Sequence, residues 1–299
     1  MCQSAPMSRL ITIPPDAQLA PSLSAYASAQ SAKRQQFALA TVLLAIAILT
    51  AGYGAEVNLA TFFGKIGNFT SYFDRLLRLD SGLRVWQDPA EWFWGLYRWL
   101  RLLGETILIA YIGTTTGALL AFGACFLTSR NLVRSSLLRM TVRRMLEFCR
   151  TVPDIVFALI FVASFGLGAL PGALALAVHT TGALGKLFSE VVENIDMKPV
   201  SGVAATGGGW LAQVRFGVVS QVMANFASYT LLRFEINVRA AAVIGFVGAG
   251  GIGLDLIVAI RKFFYSDVSA ILVLIIITVM LIDLSSERLR HRLSALEGA

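Results

Sequence analysis

The sequence predicts an all-α polytopic membrane protein with about six transmembrane helices, and three observations support this fold class. Of the 299 residues, 56% are hydrophobic and only 14% are charged, against roughly 25% charged residues in an ordinary soluble domain. The mean hydropathy is +0.70. Apolar runs alternate with short basic segments, as in membrane proteins whose cytoplasmic loops are rich in lysine and arginine. The net charge of +7 is therefore explained by topology and does not indicate nucleic-acid binding.

The first apolar run, residues 37–54, predicts the first transmembrane helix. Lys33 and Arg34 precede it, so residues 1–36 are expected to form a cytoplasmic tail. This tail is polar and lacks the apolar region of a secretory signal peptide, so a cleaved leader is not expected. Residues 37–103 then comprise the first helix and a long external segment.

The external segment contains a predicted aromatic helix at residues 85–101, which holds four of the five tryptophans. Asp88 is a predicted N-cap, Pro89 suits the first helical position, and Glu91 can reach back to the cap. One interpretation is an anchoring belt, because tryptophan and tyrosine gather at membrane–water interfaces. The other is a docking surface for an external partner.

Further spans are predicted within a transmembrane core at residues 104–285. They cover residues 104–127, 152–167, 173–192, 217–244 and 268–282. Gly113 and Gly117, in the second span, have the spacing of small residues that lets helix backbones approach closely. A tight external turn containing Pro171 is expected at residues 168–172.

The loop charges predict that both termini are cytoplasmic. Residues 129–150 contain six arginines and only one acidic residue, Glu147, which places this segment inside. The basic C-terminal tail, residues 286–299, is expected inside as well. Arg261 and Lys262 then fall outside, against the general trend.

A charged cluster interrupts the fifth predicted span: Arg233, Glu235, Asn237 and Arg239. Each ionised side chain at the bilayer centre costs at least ~2.5–3.5 kcal/mol on insertion scales, so the cluster needs a reason. Residues four apart on a helix can pair, which joins Glu235 to Arg239 and leaves one arginine over. The surplus cation predicts either an oxyanion pathway, with His179 and Thr180 as partners, or a structural network between helices.

A glycine cluster follows directly: Gly245, Gly248, Gly250, Gly251 and Gly253. Part of it fits the dinucleotide-binding fingerprint, but that motif needs a soluble strand before it, and here a membrane span precedes it. We predict that these glycines let the backbone turn and pack tightly at an outer gate.

The cytoplasmic loop before the fifth span, residues 193–216, contains Gly207, with Gly217 ten positions later. This spacing resembles the loop of ABC importer permeases, whose pattern is E-A-A-x3-G-x9-I-x-L-P. Gly207 matches the family glycine, whereas Ser201, Gly202, Gly217 and Ser220 replace the glutamate, the first alanine, the isoleucine and the proline. The resemblance implies two short helices that dock on an ATPase subunit, with these coupling residues: Ser201, Gly202, Val203, Gly207, Trp210 and Gly217.

Three longer runs extend the resemblance: residues 150–160, 179–190 and 233–253. Together they are similar to the permease subunit of phosphonate-type ABC importers, the PhnE family, over roughly residues 104–292. The resemblance implies a homodimer of type I, methionine-importer-like (MetI-like) architecture in a bacterial inner membrane. Two ATP-binding subunits would lie inside and one periplasmic or extracellular substrate-binding protein outside. The cargo would be a phosphonate, phosphite or related phosphorus oxyanion. ATP and Mg would be bound by the partner ATPase, and this chain would bind no cofactor.

Other functions remain open. A permease for a different small anion would share these features. A membrane-embedded enzyme needs a nucleophile with its base, or a set of metal ligands, whereas only two histidines are present and Cys2, Cys125 and Cys149 are predicted free thiols without metal-ligand spacing. An ion channel or scaffold would not need an ATPase-docking loop.

Overall fold

The computed structural model describes residues 16–297, in which the chain is helical and contains no β-strand. The described residues form two compact units, divided between Thr70 and Ser71. The first unit contains α1 (Asp16–Gly54), α2 (Leu59–Gly64) and the start of α3 (Ile66–Leu76). Because α1 is continuous from Asp16, no break separates the predicted tail from the predicted span at residue 37. The first fifteen residues of that tail, with Cys2, lie outside the described residues.

The second unit begins within α3 and continues with helices of 3 to 33 residues around a buried core. In chain order they are α4 (Pro89–Trp92), α5 (Leu96–Thr128), α6 (Ser136–Thr151), α7 (Asp154–Phe165), α8 (Ala169–Glu193), α9 (Met197–Ala205), α10 (Trp210–Ala212), α11 (Val219–Ile244), α12 (Ile252–Arg261) and α13 (Tyr265–Glu297). A π-helical segment, Gln213–Val218, makes α10 and α11 one continuous rod, and a 3₁₀ turn, Gly245–Val247, ends it.

The expectation of about six membrane spans agrees with these helices. By length and hydropathy, three of the described helices can cross a membrane: Ser24–Gly54, Leu96–Thr128 and Tyr265–Arg290. Two bent helix pairs, α6 with α7 and Trp210–Val247 with α12, raise the number to five if each pair is one span. α8 is not among these candidates by hydropathy, but its 25 residues extend about 37 Å, long enough to cross the hydrocarbon core as a sixth span.

The third predicted span, residues 152–167, differs from the structure. α7 has only 12 residues, about 18 Å, which is too short to cross alone. It meets α6 at 87°, because Pro153 disfavours helical backbone at Val152, whose ψ is 125°. The arginine-rich segment predicted as a loop is thus largely the helix α6.

The turn before α8 is wrongly predicted, and the last helix is longer than its predicted span. The sharp turn before α8 lies at Gly166 and Gly168, both with positive φ, and Pro171 already belongs to the first turn of α8. α13 continues to Glu297, so the helix extends beyond residue 282, where the sixth span is predicted to end. The predicted C-terminal tail is therefore helical up to Glu297, and residues 298–299 lie outside the described range.

The predicted aromatic helix at residues 85–101 is divided in the structure. Asp88 caps α4 as expected, accepting from the amides of Ala90 and Glu91. Glu91 does not return to the cap; it accepts from the amide and hydroxyl of Ser81. α5 then begins at Leu96 and runs through residue 103, where the sequence predicted the end of the external segment.

Hydrogen bonds hold this aromatic segment against the C-terminal helices. Trp92 Nε1 donates to Ser269 Oγ at 3.0 Å, and Trp94 Nε1 donates to Asp267 Oδ1 at 2.8 Å. Arg98 pairs with Asp255 at 2.7 Å. A bracing role is therefore shared by several side chains of the segment.

The end of α3 is tied to the loop that follows it. Arg84 donates to Asp74 Oδ1 at 2.8 Å, and this hydrogen bond lowers the pKa of the Asp74 carboxyl. Stability that depends on this contact is present above the pKa of the unfolded chain and is lost as pH falls through the lowered pKa.

The most extensive contact between two helices of the described chain is that of α5 with α8. A Cβ at Gly113 would lie 2.6 Å from Leu176 Cβ, and one at Gly117 would lie 2.7 Å from Thr180 Cβ. Both distances are far below a normal contact, so only glycine permits this separation of the two helices. The predicted small-residue motif is confirmed as a helix–helix contact.

We predict that Gly117→Ala destabilises the protein by roughly 1–3 kcal/mol, because the added methyl overpacks the α5–α8 contact. Gly123→Ala is the matched control, since it lies on the same helix and a Cβ there meets nothing within 4 Å. Thermal unfolding of the purified protein measures both. Equal unfolding midpoints for the two variants would contradict the packing argument.

Candidate functional site

The loop predicted to couple to an ATPase, residues 201–220, lies in a region of two short helical segments joined by a glycine turn; residues 197–217 of this region are called the coupling loop below. Asp196 caps α9 by accepting from the Lys198 amide. Thr206 ends α9, and Gly207 follows with φ of +84°, a conformation that favours glycine. α10 and the π-helical segment then lead into α11.

The predicted coupling residues are placed differently by this arrangement. Ser201 and Gly202 are exposed on α9, whereas Val203 is half-buried. Trp210 is partly exposed, and its Nε1 donates to Leu132 O at 3.3 Å, which ties the loop to the connection between α5 and α6. Gly217 is buried.

Gly217 is the contact point between the loop and the long rod. A Cβ there would lie 2.8 Å from Val200 Cα, so α9 rests directly on the π-helical segment. Gln221 closes the same joint, donating to Asp196 O and accepting from Asp196 N. Neither Val200 nor Gln221 was predicted, since an isolated valine or glutamine carries no recognisable sequence signal. Asp196 was signalled by its place before a helix start.

Asn237 joins three long helices in the core. Its side chain is fully buried, and Nδ2 donates to Thr114 Oγ1 on α5 and to Thr180 Oγ1 on α8, each at 2.8 Å. Thr114 was not predicted, because a threonine in an apolar run is common. An amide buried in a membrane core is stabilised by such interhelical partners.

Arg233 lies on the same face of α11 and faces α8. Its Nη2 is 2.6 Å from His179 Nδ1, and its Nε donates to Thr180 Oγ1 at 3.4 Å. A guanidinium can only donate, so Nδ1 accepts and the ring proton sits on Nε2. Nε2 then donates to Arg150 O at 3.2 Å. Arg233 and Asn237 are also four residues apart, but they meet through Thr180 and do not pair directly.

Glu235 and Arg239 face the opposite side of α11, toward α13. Arg239 Nη2 donates to Glu235 Oε1 at 2.7 Å, which confirms the predicted pair, and lies 3.8 Å from Asp283 Oδ1. Arg290 approaches Glu235 Oε2 at 3.6 Å. The sequence treated these side chains as one cluster, whereas the structure divides it into two networks, with Arg233 in one and Arg239 in the other.

The glycine cluster is a packed junction at the opposite end of α11 from the coupling loop. Gly248, Gly250 and Gly251 have positive φ. A Cβ on Gly253 would lie 2.0 Å from Ala242 O, and one on Gly245 would lie 2.8 Å from Gly250 O. The backbone therefore folds back on itself at distances that only glycine allows.

Two side chains in the third turn of α5, and the backbone of the turn that precedes α8, hold this junction. Thr106 Oγ1 accepts from the Ile252 amide at 2.9 Å, and Glu105 Oε1 accepts from the Gly251 amide at 3.4 Å. The Gly168 amide donates to Gly248 O at 3.0 Å. Glu105 and Thr106 were not predicted, since their partners are backbone amides far away in sequence.

These features together define a polytopic permease of the type I, MetI-like ABC importer architecture: a multi-pass membrane protein in which one rod joins a two-helix loop, a polar core and a glycine junction. The chain belongs to the family of binding-protein-dependent transport system inner membrane components, whose family model matches residues 113–295.

Two relatives of this chain are named as permeases of phosphite or phosphonate transport systems. The chain is 38% identical to the phosphite transport system permease protein PtxC of Stutzerimonas stutzeri over 198 residues, 66% of this chain and 72% of that protein. It is 55% identical to the putative cryptic phosphonate transport system permease protein PhnE2 of Escherichia coli K12 over 117 residues, 39% of this chain and 96% of that protein.

The fold is similar to solved importers at low sequence identity. An inward-facing structure of the MetNI methionine ABC transporter matches with a TM-score of 0.59 at 18% identity, covering 69% of this chain and 98% of that chain. A structure of an amino acid ABC transporter with histidines matches with a TM-score of 0.53 at 14% identity, covering 67% and 98%.

Proposed function

We propose that this chain forms the translocation pathway of an ATP-driven importer for phosphonates, phosphite or a related phosphorus oxyanion. The observation that carries this cargo class is the likeness to permeases named for phosphite and phosphonate transport. The proposed role is transport alone, with ATP and Mg bound by a separate subunit and no nucleic acid involved.

The coupling loop supports a mechanical link to that ATPase. Ser201 and Gly202 present an exposed face of α9, while Val200 rests on Gly217 at the base of the rod. A push on α9 is thus transmitted to the helix that carries the polar core. We assign docking to the exposed face and transmission to the buried one, with Val203, Gly207 and Trp210 fixing the shape between them.

Arg233 is the residue we assign to cargo attraction in the pathway. Its partners, His179 and Thr180, are neutral, so its positive charge is not cancelled within this network. Arginine's planar fork suits a tetrahedral oxyanion. Arg239 instead contacts Glu235 and lies near Asp283, so we assign the second network to bracing α11 against α13, and Asn237 to joining α11 with α5 and α8.

The glycine junction is proposed as the outer gate. It lies at the end of the rod remote from the coupling loop, and its turns are held by backbone hydrogen bonds and by Glu105 and Thr106. Small movements of the rod would change these contacts, because glycine has no side chain to separate the backbone segments. Gly245, Gly248, Gly250, Gly251 and Gly253 are the gate residues in this proposal.

The assembly we propose contains two copies of this chain, two ATP-binding subunits and one external substrate-binding protein in a lipid bilayer. Both termini lie in the cytoplasm. The orientation is supported by contacts that bring the arginine-rich segment beside the coupling loop: Arg143 pairs with Glu193, and Trp210 bonds Leu132 O. Arginine-rich segments are retained on the cytoplasmic side.

We predict that cells lacking other phosphorus importers accumulate methylphosphonate or phosphite when given this permease with its ATPase and binding protein. Uptake should stop when the ATPase subunit is made inactive, and sulfate should not be accumulated. Radiolabelled uptake over minutes measures this. Transport of sulfate alone, or of none of the phosphorus compounds, would contradict the proposed cargo class.

We predict that Ser201→Trp prevents stable association with the ATPase, because a bulky ring on the exposed face of α9 blocks close docking. Ser136→Trp is the control, since Ser136 is an exposed helical serine on α6 outside the coupling loop. Co-purification with a tagged ATPase subunit measures both. Full recovery of the ATPase with Ser201→Trp, or equal loss in both variants, would argue against docking through this face.

A further inference from the structure

A basic cavity lies beside the polar core, between α6, α8 and α11. Its volume is about 380 Å³, and four basic side chains line it: Arg150, His179, Lys186 and Arg233. Small-molecule sites in proteins start at about 300 Å³, so the space accommodates a small ion with some of its water. His179 lies near the middle of α8, and Lys186 is about 10 Å from the α8 end that leads to the coupling loop.

The contact of α6 with α8 builds the wall of this cavity. A Cβ on Gly182 would lie 2.5 Å from the Arg150 amide nitrogen, so the end of α6 touches α8 at a point where only glycine fits. The same contact brings Arg150 O to His179 Nε2. His179 is thereby fixed with its Nδ1 toward Arg233, and the Arg150 side chain remains exposed at the rim.

Arg233 has N–H donors that remain available to bind a ligand. A guanidinium carries five N–H groups, and the bonds to His179 and Thr180 use two of them. Among the residues that the structure describes, no carboxylate lies within ion-pair distance of Arg233. A partly buried cation without such a partner is costly, and an anion that enters the cavity would compensate it.

The balance of charge around the cavity is positive. Lys186 has a partner, Glu190, at 3.3 Å, but both side chains are about half exposed, so this pair is weak. Asp154 is the acidic group whose field reaches Arg233 and His179. Glu147 and Glu193 lie beside Arg150 and Lys186 in an adjoining pocket, but they pair with Arg144 and Arg143. Against Glu190 and Asp154 stand Arg150, Lys186 and Arg233, which leaves a surplus of positive charge.

We propose that this cavity is a low-affinity release site, where a tetrahedral phosphorus oxyanion binds to Arg233, Arg150 and Lys186 before it leaves for the cytoplasm. The proposal rests on the proposed function for the identity of its ligand. A site at the exit must bind weakly, since cargo held tightly there would slow each transport cycle. The phosphate of an anionic lipid headgroup has the same chemistry and is the competing occupant.

The test is a titration of methylphosphonate into the purified permease–ATPase complex in maltoside detergent, without nucleotide or binding protein, followed by ³¹P line broadening. We expect saturable broadening with the wild-type complex and at least about ten-fold weaker binding with Arg233→Gln, since a charge-assisted bidentate contact is lost. Lys186→Gln, an exposed rim variant with little effect on folding, should weaken binding about two- to five-fold. Arg261→Gln, an exposed arginine on α12 outside the cavity, should bind as the wild type does.

Absence of saturable broadening with the wild type would overturn the proposal, as would unchanged binding in both Arg233→Gln and Lys186→Gln complexes that retain the ATPase. Loss of methylphosphonate binding on adding one equivalent of phosphatidylglycerol would assign the cavity to lipid and also overturn it. Cellular uptake by the wild type decides the proposed function separately. Normal uptake with unchanged Arg233→Gln binding removes only the release site.

Discussion

The hydrogen bonds of the buried Asn237 amide are the constraint on which the rest of this structure depends. The amide cannot reach water, and its Nδ2 finds acceptors on other helices, Thr114 on α5 and Thr180 on α8, while Oδ1 has no partner among the described residues. Both partners come within reach because Gly117 lets α5 approach α8 at the level of Thr180. One polar contact therefore fixes the position of α11 within the core.

The coupling loop and the glycine junction lie at opposite ends of the rod, on either side of Asn237. On one side of it, Val200 and Gln221 hold the coupling loop against the base of the rod. On the other side, the backbone folds into the glycine junction held by Thr106. We propose that α11 acts as a lever about Asn237, so that movement of the loop by an ATPase is converted into movement of the outer junction.

The sequence was sufficient for the fold class, the glycine turn of the coupling loop and the polar character of α11. The division of the charged cluster into two networks could also be predicted, because Arg233 and Glu235 are two residues apart and so point about 200° apart around the helix axis. Helix boundaries were less predictable from hydropathy. An apolar run does not reveal that α5 already begins at Leu96, within the aromatic segment, or that the chain bends by 87° at Pro153, between α6 and α7. Contacts such as Thr106 with Ile252 depend on tertiary packing that no local pattern encodes.

The most direct measurement of the lever is the ATPase activity of the full complex, with and without loaded binding protein, in the Asn237→Val variant. Valine removes both interhelical hydrogen bonds and keeps a similar volume. If α11 acts as this lever, the variant assembles and retains its basal ATP hydrolysis, but the stimulation by loaded binding protein falls at least about ten-fold, equivalent to roughly 1.4 kcal/mol of coupling. Stimulation equal to that of the wild type would contradict it.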